Sequence, residues 1–168
     1  CDDAIYSTGD ADGVNGLSSE RGNFGIESFC ADDAEVKSET TVGALHWQAL
    51  VSGDYGDSTV DVLVLPDDGG APNGDDGTAL LNVSDAGACR VDTGINYFGY
   101  PLIQYSYYPA GGLTIPAGTT WFAARPVSGS GGGRAFGLTA NYGAPQGFPA
   151  VWRSAFFGYP DWGNAATQ

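Results

Sequence analysis

The chain has 168 residues, 20 of them acidic and 6 basic, for a formal net charge of -14, with 27 glycines, no methionine and 12% aromatic residues. So negative a surface repels phosphate backbones and anionic lipid headgroups, which excludes nucleic acid as a partner. No run approaches the ~20 apolar residues of a membrane-spanning helix, so no membrane span is predicted, and a chain of this length is read as one domain burying roughly 70% of its unfolded surface.

Glycine-rich, aromatic-rich sequence without an apolar stripe at helical spacing predicts short strands joined by tight turns. The acidic balance suits extracellular fluid, where cations screen it. A first residue that is Cys1 and not methionine reads as a mature chain from which a leader has been removed.

The cysteines are Cys1, Cys30 and Cys89, an odd number. Cys30 with Cys89 is the preferred disulfide, closing a loop of about sixty residues worth roughly 4 kcal/mol in chain entropy. Cys1 is left over, as a lipid-modified terminus, a disulfide to another chain, or an idle thiol.

Residues 1–33 are polar and turn-rich and read as an N-terminal arm packing on or between domains, with 4–6 and 25–29 its only strand candidates. Within it Asp10, Asp12, Asn15 and Glu20 place oxygens around Gly13 and Gly16. Hard cations need several oxygens converging within a few ångströms, so this is the first calcium candidate. It is not an EF-hand, because Val14 falls where an oxygen ligand belongs and no helices flank it. The plain alternative is a solvated acidic turn.

Residues 34–168 read as the β-sandwich domain. Residues 45–51 alternate Trp47, Ala49 and Val51 against His46, Gln48 and Leu50, a half-buried strand. Residues 60–65 are apolar on both faces after Asp61, as a sandwich-core strand requires. They empty into an acidic loop in which Asp67, Asp68, Asp75 and Asp76 form a second, weaker calcium candidate or only a solubilising tip.

Residues 78–83 are a further short strand and 84–94 a loop holding Cys89. Residues 95–108 are aromatic, with Ile103, Tyr105 and Tyr107 alternating against Gln104 and Ser106. Residues 113–115 and 119–125, around the Pro116-Ala117-Gly118 turn, read as a hairpin-like pair. Residues 128–133 read as a hairpin tip, and strand patterning returns at 135–140 and 151–157. This spacing predicts an all-β sandwich of jelly-roll type.

Several motifs together resemble secreted bacterial β-sandwich surface domains. They are the run from Asp12 through Asn15 to Arg21, the Ala31-Asp32-Asp33 triplet, the strand and loop of residues 62–72, and the Leu113-Thr-Ile-Pro-Ala-Gly-Thr-Thr-Trp121 segment. The resemblance implies a fold and a bacterial cell-surface or extracellular location, and transfers no catalytic residue. The chain departs from that pattern by stopping soon after Trp162, where a last core strand is expected.

No enzyme is predicted. His46 is the single histidine, and no nucleophile elbow or zinc spacing is present. Acids confined to Asp-Gly turns argue against a glycosidase pair. The expected function is structural, a self-associating surface or filament subunit stabilised by calcium and disulfide, with a strand edge that a neighbouring copy completes. The alternative is an adhesive module stacking a polysaccharide on Tyr105, Tyr107 or Trp162.

Overall fold

The computed structural model describes residues 11–22, 25–56, 58–74, 76–128, 132–140 and 147–167, with the side chains of residues 11, 12, 14, 15, 54, 56, 139 and 140 left aside. The strands are β1 (Ala11–Ser18), β2 (Glu20–Arg21), β3 (Glu27–Val36), β4 (Thr40–Val42), β5 (Leu45–Val51), β6 (Thr59–Pro66) and β7 (Leu81–Gly87). They continue as β8 (Cys89–Tyr97), β9 (Tyr100–Tyr107), β10 (Leu113–Ile115), β11 (Gly118–Pro126), β12 (Ala135–Ala140), β13 (Val151–Ser154) and β14 (Tyr159–Asn164). Among the described residues only short 3₁₀ turns accompany them, as the glycine content and missing helical periodicity require.

Two main antiparallel sheets form, sandwich-like. The smaller has five strands in the order β1-β12-β5-β9-β8; the larger has seven, β14-β13-β3-β11-β6-β7 with β2 beside β3. Strands β10 and β4 form a separate pair. The expected all-β class therefore holds, and β5 and β12 span the residues expected of them.

β6 explains why one strand had to be apolar on both faces. Val60 and Val62 pack between the sheets with Ala49, Val51, Ile103 and Tyr105. Leu63 and Leu65 pack on the outer face of the larger sheet with Phe29, Ala31, Trp121 and Val151. That outer face is itself covered, by Ala79 and Trp162 among others. Both faces of the strand thus leave water, each buried side chain contributing about 1.5–3 kcal/mol.

Three expectations about the strands need correction. The segment 84–94 is not a loop, because β7 runs to Gly87 and β8 starts at Cys89. Residues 113–115 and 118–126 do not pair with each other: β10 pairs with β4, and β11 lies between β3 and β6. β3 runs through the boundary expected after Asp33, with β1 in the smaller sheet and β2 and β3 in the larger. A last strand is also present, since β14 pairs with β13 at the margin of the larger sheet.

The margins share one property. At the outermost strand on each side of the two main sheets the ladder is irregular, and the extra residues belong to the outer strand. Residues 12–15 of β1 stand against Thr139, and Thr93, Gly94 and Ile95 of β8 against Leu102. Ser84 and Asp85 of β7 stand against Asp61, and Pro160, Asp161 and Trp162 of β14 against Arg153. The interior pairings run without a shift. Bulges that bend an outer strand are a known protection against sheet-to-sheet addition.

Candidate functional site

Two apolar patches stand out on the surface, at opposite flanks of the molecule. The first lies on β13, β14 and the turn between them. Arg153 pairs with Phe29 on the outer face, so the alternate residue Trp152 points to the side that faces the smaller sheet, with Tyr159 beside it. Trp152 is buried and gives its indole N–H to the Ser18 carbonyl at 2.6 Å.

Against it lie Phe157 and Tyr159, with ring centroids 5.9 and 5.6 Å away, and Phe156 packs edge-on to Phe157 at 4.9 Å. These three rings remain 51% (Phe156), 42% (Phe157) and 42% (Tyr159) exposed. The larger sheet extends past β1 here.

The second patch is the β8–β9 hairpin, at the other margin of the smaller sheet. Val91, Ile95 and Phe98 are 59, 46 and 64% exposed. Phe98 occupies the hairpin tip at φ 56°, a left-handed conformation uncommon for a bulky side chain, and it leaves the ring projecting.

Of the first set of residues expected to bind calcium, only Glu20 has its side chain among the described residues. Asp10 lies outside the described residues, as do the side chains of Asp12 and Asn15. Glu20 is fully buried, and its carboxylate is taken up by protein donors: Arg134 Nε at 2.7 Å, Tyr55 Oη at 2.7 Å, Ser18 Oγ at 2.7 Å and the Ala135 N–H at 3.1 Å. Burial, then the Glu20 carboxylate, pushes the Tyr55 hydroxyl pKa well up, so the phenol stays a donor. Glu20 is the polar centre that ties β2, β12 and the 3₁₀ turn Gly53–Gly56 together, and is not available to a cation.

Two members of the second acidic set are taken up by protein donors. Asp67 accepts the Trp121 indole N–H at 2.8 Å and the Gly70 N–H, while Asp76 holds Arg153 in a bidentate pair at 3.1 and 2.9 Å. Asp68 is exposed and Asp75 lies outside the described residues. Among the described residues no group of three or more histidine, cysteine or acidic side chains is placed to hold a metal.

Cys30 and Cys89 are free thiols. Cys30, on β3, gives its S–H to the Leu17 carbonyl, and burial pushes its pKa up to about 12. Cys89 starts the exposed strand β8 in the other sheet, so the expected bridge is not formed. Cys1 lies outside the described residues.

The three rings expected to stack a glycan do not form a platform. Tyr105 is fully buried between the sheets, with Trp47 stacked on it at 5.6 Å, and Tyr107 packs beside the same core. Trp162 is partly buried under the Arg153 guanidinium, 4.5 Å from its ring. The alternating pattern of residues 103–107 places Tyr105 correctly in a strand, and the facing direction is what buries it.

Sequence reasoning misses the buried carboxylates. Asp33 and Asp61 both sit inside the larger sheet, and no local signal marks an aspartate that will find the Phe148 N–H, for Asp33, or Arg21 and Arg125, for Asp61, from distant segments. His46 is exposed, its Nδ1 lying 2.7 Å from Ser106 Oγ and the Tyr108 ring edge-on to it at 6.3 Å.

No protein-family model, no curated protein and no solved structure matches this chain.

Proposed function

We propose that the protein is a non-catalytic extracellular structural subunit, a β-sandwich of jelly-roll type that associates with copies of itself at a bacterial surface or in a filament. The observation behind this reading is the pair of exposed apolar patches on opposite flanks, Phe156, Phe157 and Tyr159 on one and Val91, Ile95 and Phe98 on the other. Groups of exposed large apolar side chains of this kind mark contact surfaces. Two different patches on opposite sides generate a head-to-tail contact, which repeats without closing unless the rotation brings it into a ring.

The bulged margins turn this reading away from strand exchange. A strand added to β7, β8 or β14 would meet a broken row of backbone groups, so the contacts between copies rest on side chains.

Mixing experiments test the proposal. Phe157→Asp spoils one flank and Phe98→Asp the other. Each variant alone is expected to be a monomer by light scattering, and the two mixed are expected to form dimers and nothing longer. A native protein that stays monomeric at high concentration, or variants that assemble as the native chain does, would refute it.

A further inference from the structure

The outer face of the larger sheet holds an open groove of about 410 Å³ that crosses its strands from β14 to β7. Along its floor Asp61 pairs in register with Arg125, and Phe29 with Arg153. The Arg125 guanidinium lies 4.0 Å over the Phe29 ring, and Arg153 lies 5.6 Å from the same ring on its other flank. The bulges close the two ends, with Ser84 at one and Pro160 at the other. Beyond Arg153 a second hollow of about 210 Å³ continues to Trp162.

The lining selects a class of ligand. Apolar molecules find little to bury against, because both rings are capped by guanidinium groups. Anions find arginines already engaged: Arg125 gives its Nε–H to Asp61 at 2.8 Å, and Arg153 gives both terminal nitrogens to Asp76. Three carboxylates, Glu27, Asp61 and Asp76, face those two arginines, so the groove offers no net positive charge. A peptide extending the sheet finds no regular margin beside the groove, because β7 and β14 are both bulged.

What remains is closely spaced donors and acceptors in a channel. Arg125, largely buried, holds Nη2 3.9 Å from Glu27 Oε2, so that a donor and an acceptor lie side by side at the groove floor. Asn82 and Ser84, both exposed, add an amide and a hydroxyl on the far wall. The Trp162 indole N–H is buried beside the second hollow with no acceptor among the described residues. Hydroxyl groups donate and accept at once, and a chain of them matches such a lining.

We infer that this groove is a binding site for a neutral oligosaccharide chain, lying across the strands over Arg125 and Arg153 and reaching toward Trp162. This goes beyond self-association and uses a face that neither flank patch occupies.

The test is a glycan array followed by calorimetry of the full chain with cellohexaose, maltohexaose and chitohexaose. Binding to at least one neutral oligosaccharide is expected. Ser84→Trp, which fills the groove from an exposed position, and Arg153→Ala should each weaken it at least tenfold with the melting temperature of Ser84→Trp unchanged. Tyr108→Ala, exposed on the other sheet, should leave it intact. The monomeric Phe98→Asp variant should bind as the native chain does, which separates this site from assembly. No binding on the array, binding indifferent to Ser84→Trp, or groove occupancy by an extended peptide library in place of sugars would each overturn the inference.

Discussion

Asp61 receives the backbone N–H of Asp85 at 3.1 Å, so a buried carboxylate in a central strand holds the bulge of the neighbouring outer strand in place. The same carboxylate takes Arg21 in a bidentate pair at 2.8 and 2.9 Å and Arg125 at 2.8 Å. Burial alone pushes its pKa up, and the arginine hydrogen bonds outweigh that and hold it below the ordinary aspartate value.

Removing this acceptor leaves Arg125 buried without its partner. Asp61→Ala is expected to cost about 3–5 kcal/mol, the usual penalty for breaking a buried pair from one side. Denaturant melts check the value. Because the native pKa is depressed, the stabilisation is present above the unfolded value near 4 and disappears as pH falls through the native one. The native chain should therefore lose stability below about pH 4 more steeply than Asp61→Ala does.

Asp32 behaves in the opposite sense. Burial lifts its pKa to about 6, although the Asp33 N–H donates to it at 3.0 Å. A raised native pKa gives stability that is complete below the unfolded value near 4 and is lost as pH rises toward 6. Asp32→Asn keeps an acceptor for that N–H and should stabilise the protein at pH 7 by about 1–3 kcal/mol, with a flatter profile between pH 4 and 6. Equal stability of the two proteins at pH 7 would count against a partly buried, ionised Asp32.

Glu20 makes a prediction about metal. Since its oxygens are occupied by Arg134, Tyr55, Ser18 and Ala135, calcium removal should not disturb this centre. A chelator is expected to leave the melting temperature within about 1 °C, a shift worth only a few tenths of a kcal/mol. Glu20→Ala, by contrast, should cost about 1–3 kcal/mol by leaving the buried Tyr55 hydroxyl without its acceptor, while the more exposed Arg134 turns to water. A large chelator effect would place an ion on residues 10–15.

The β7 bulge can be tested by deletion. Removing Asp85, which sits at φ 53° in the bulge, restores one-to-one pairing with β6 and straightens the margin. Its exposed ion pair with Arg21, which the deletion also removes, is worth at most about 1 kcal/mol. The deletion variant is expected to aggregate with a thioflavin signal at concentrations where the native chain does not, since a regular exposed strand is a pairing template.

How much of the molecule is legible in its sequence depends on whether the signal is local. β5 announces itself by alternation, and β6 by being apolar on both faces. β3 is foreseen only through residue 29, because Asp32 and Asp33 interrupt its apolar pattern; their place in a central strand follows from packing. The first part of β8, residues 89–94, reads as a loop because Arg90, Asp92 and Gly94 surround its only aliphatic residue, Val91; it is a strand because β9 offers it a ladder. The Asp61 centre draws Arg21, Asp85 and Arg125 from three separate segments, a convergence no spacing rule could reveal.

The two flanks also fix the direction in which a string of copies would be pulled. Tension entering at Phe98 and leaving at Phe157 runs across the strands, along their hydrogen bonds and parallel to the row from Asp61 through Arg125 and Phe29 to Arg153. That row, with its ion pair and stacked guanidinium groups, then serves as a cross-tie, and the weakest link under force is the outermost ladder at each end, where the bulges leave fewest bonds to share the strain.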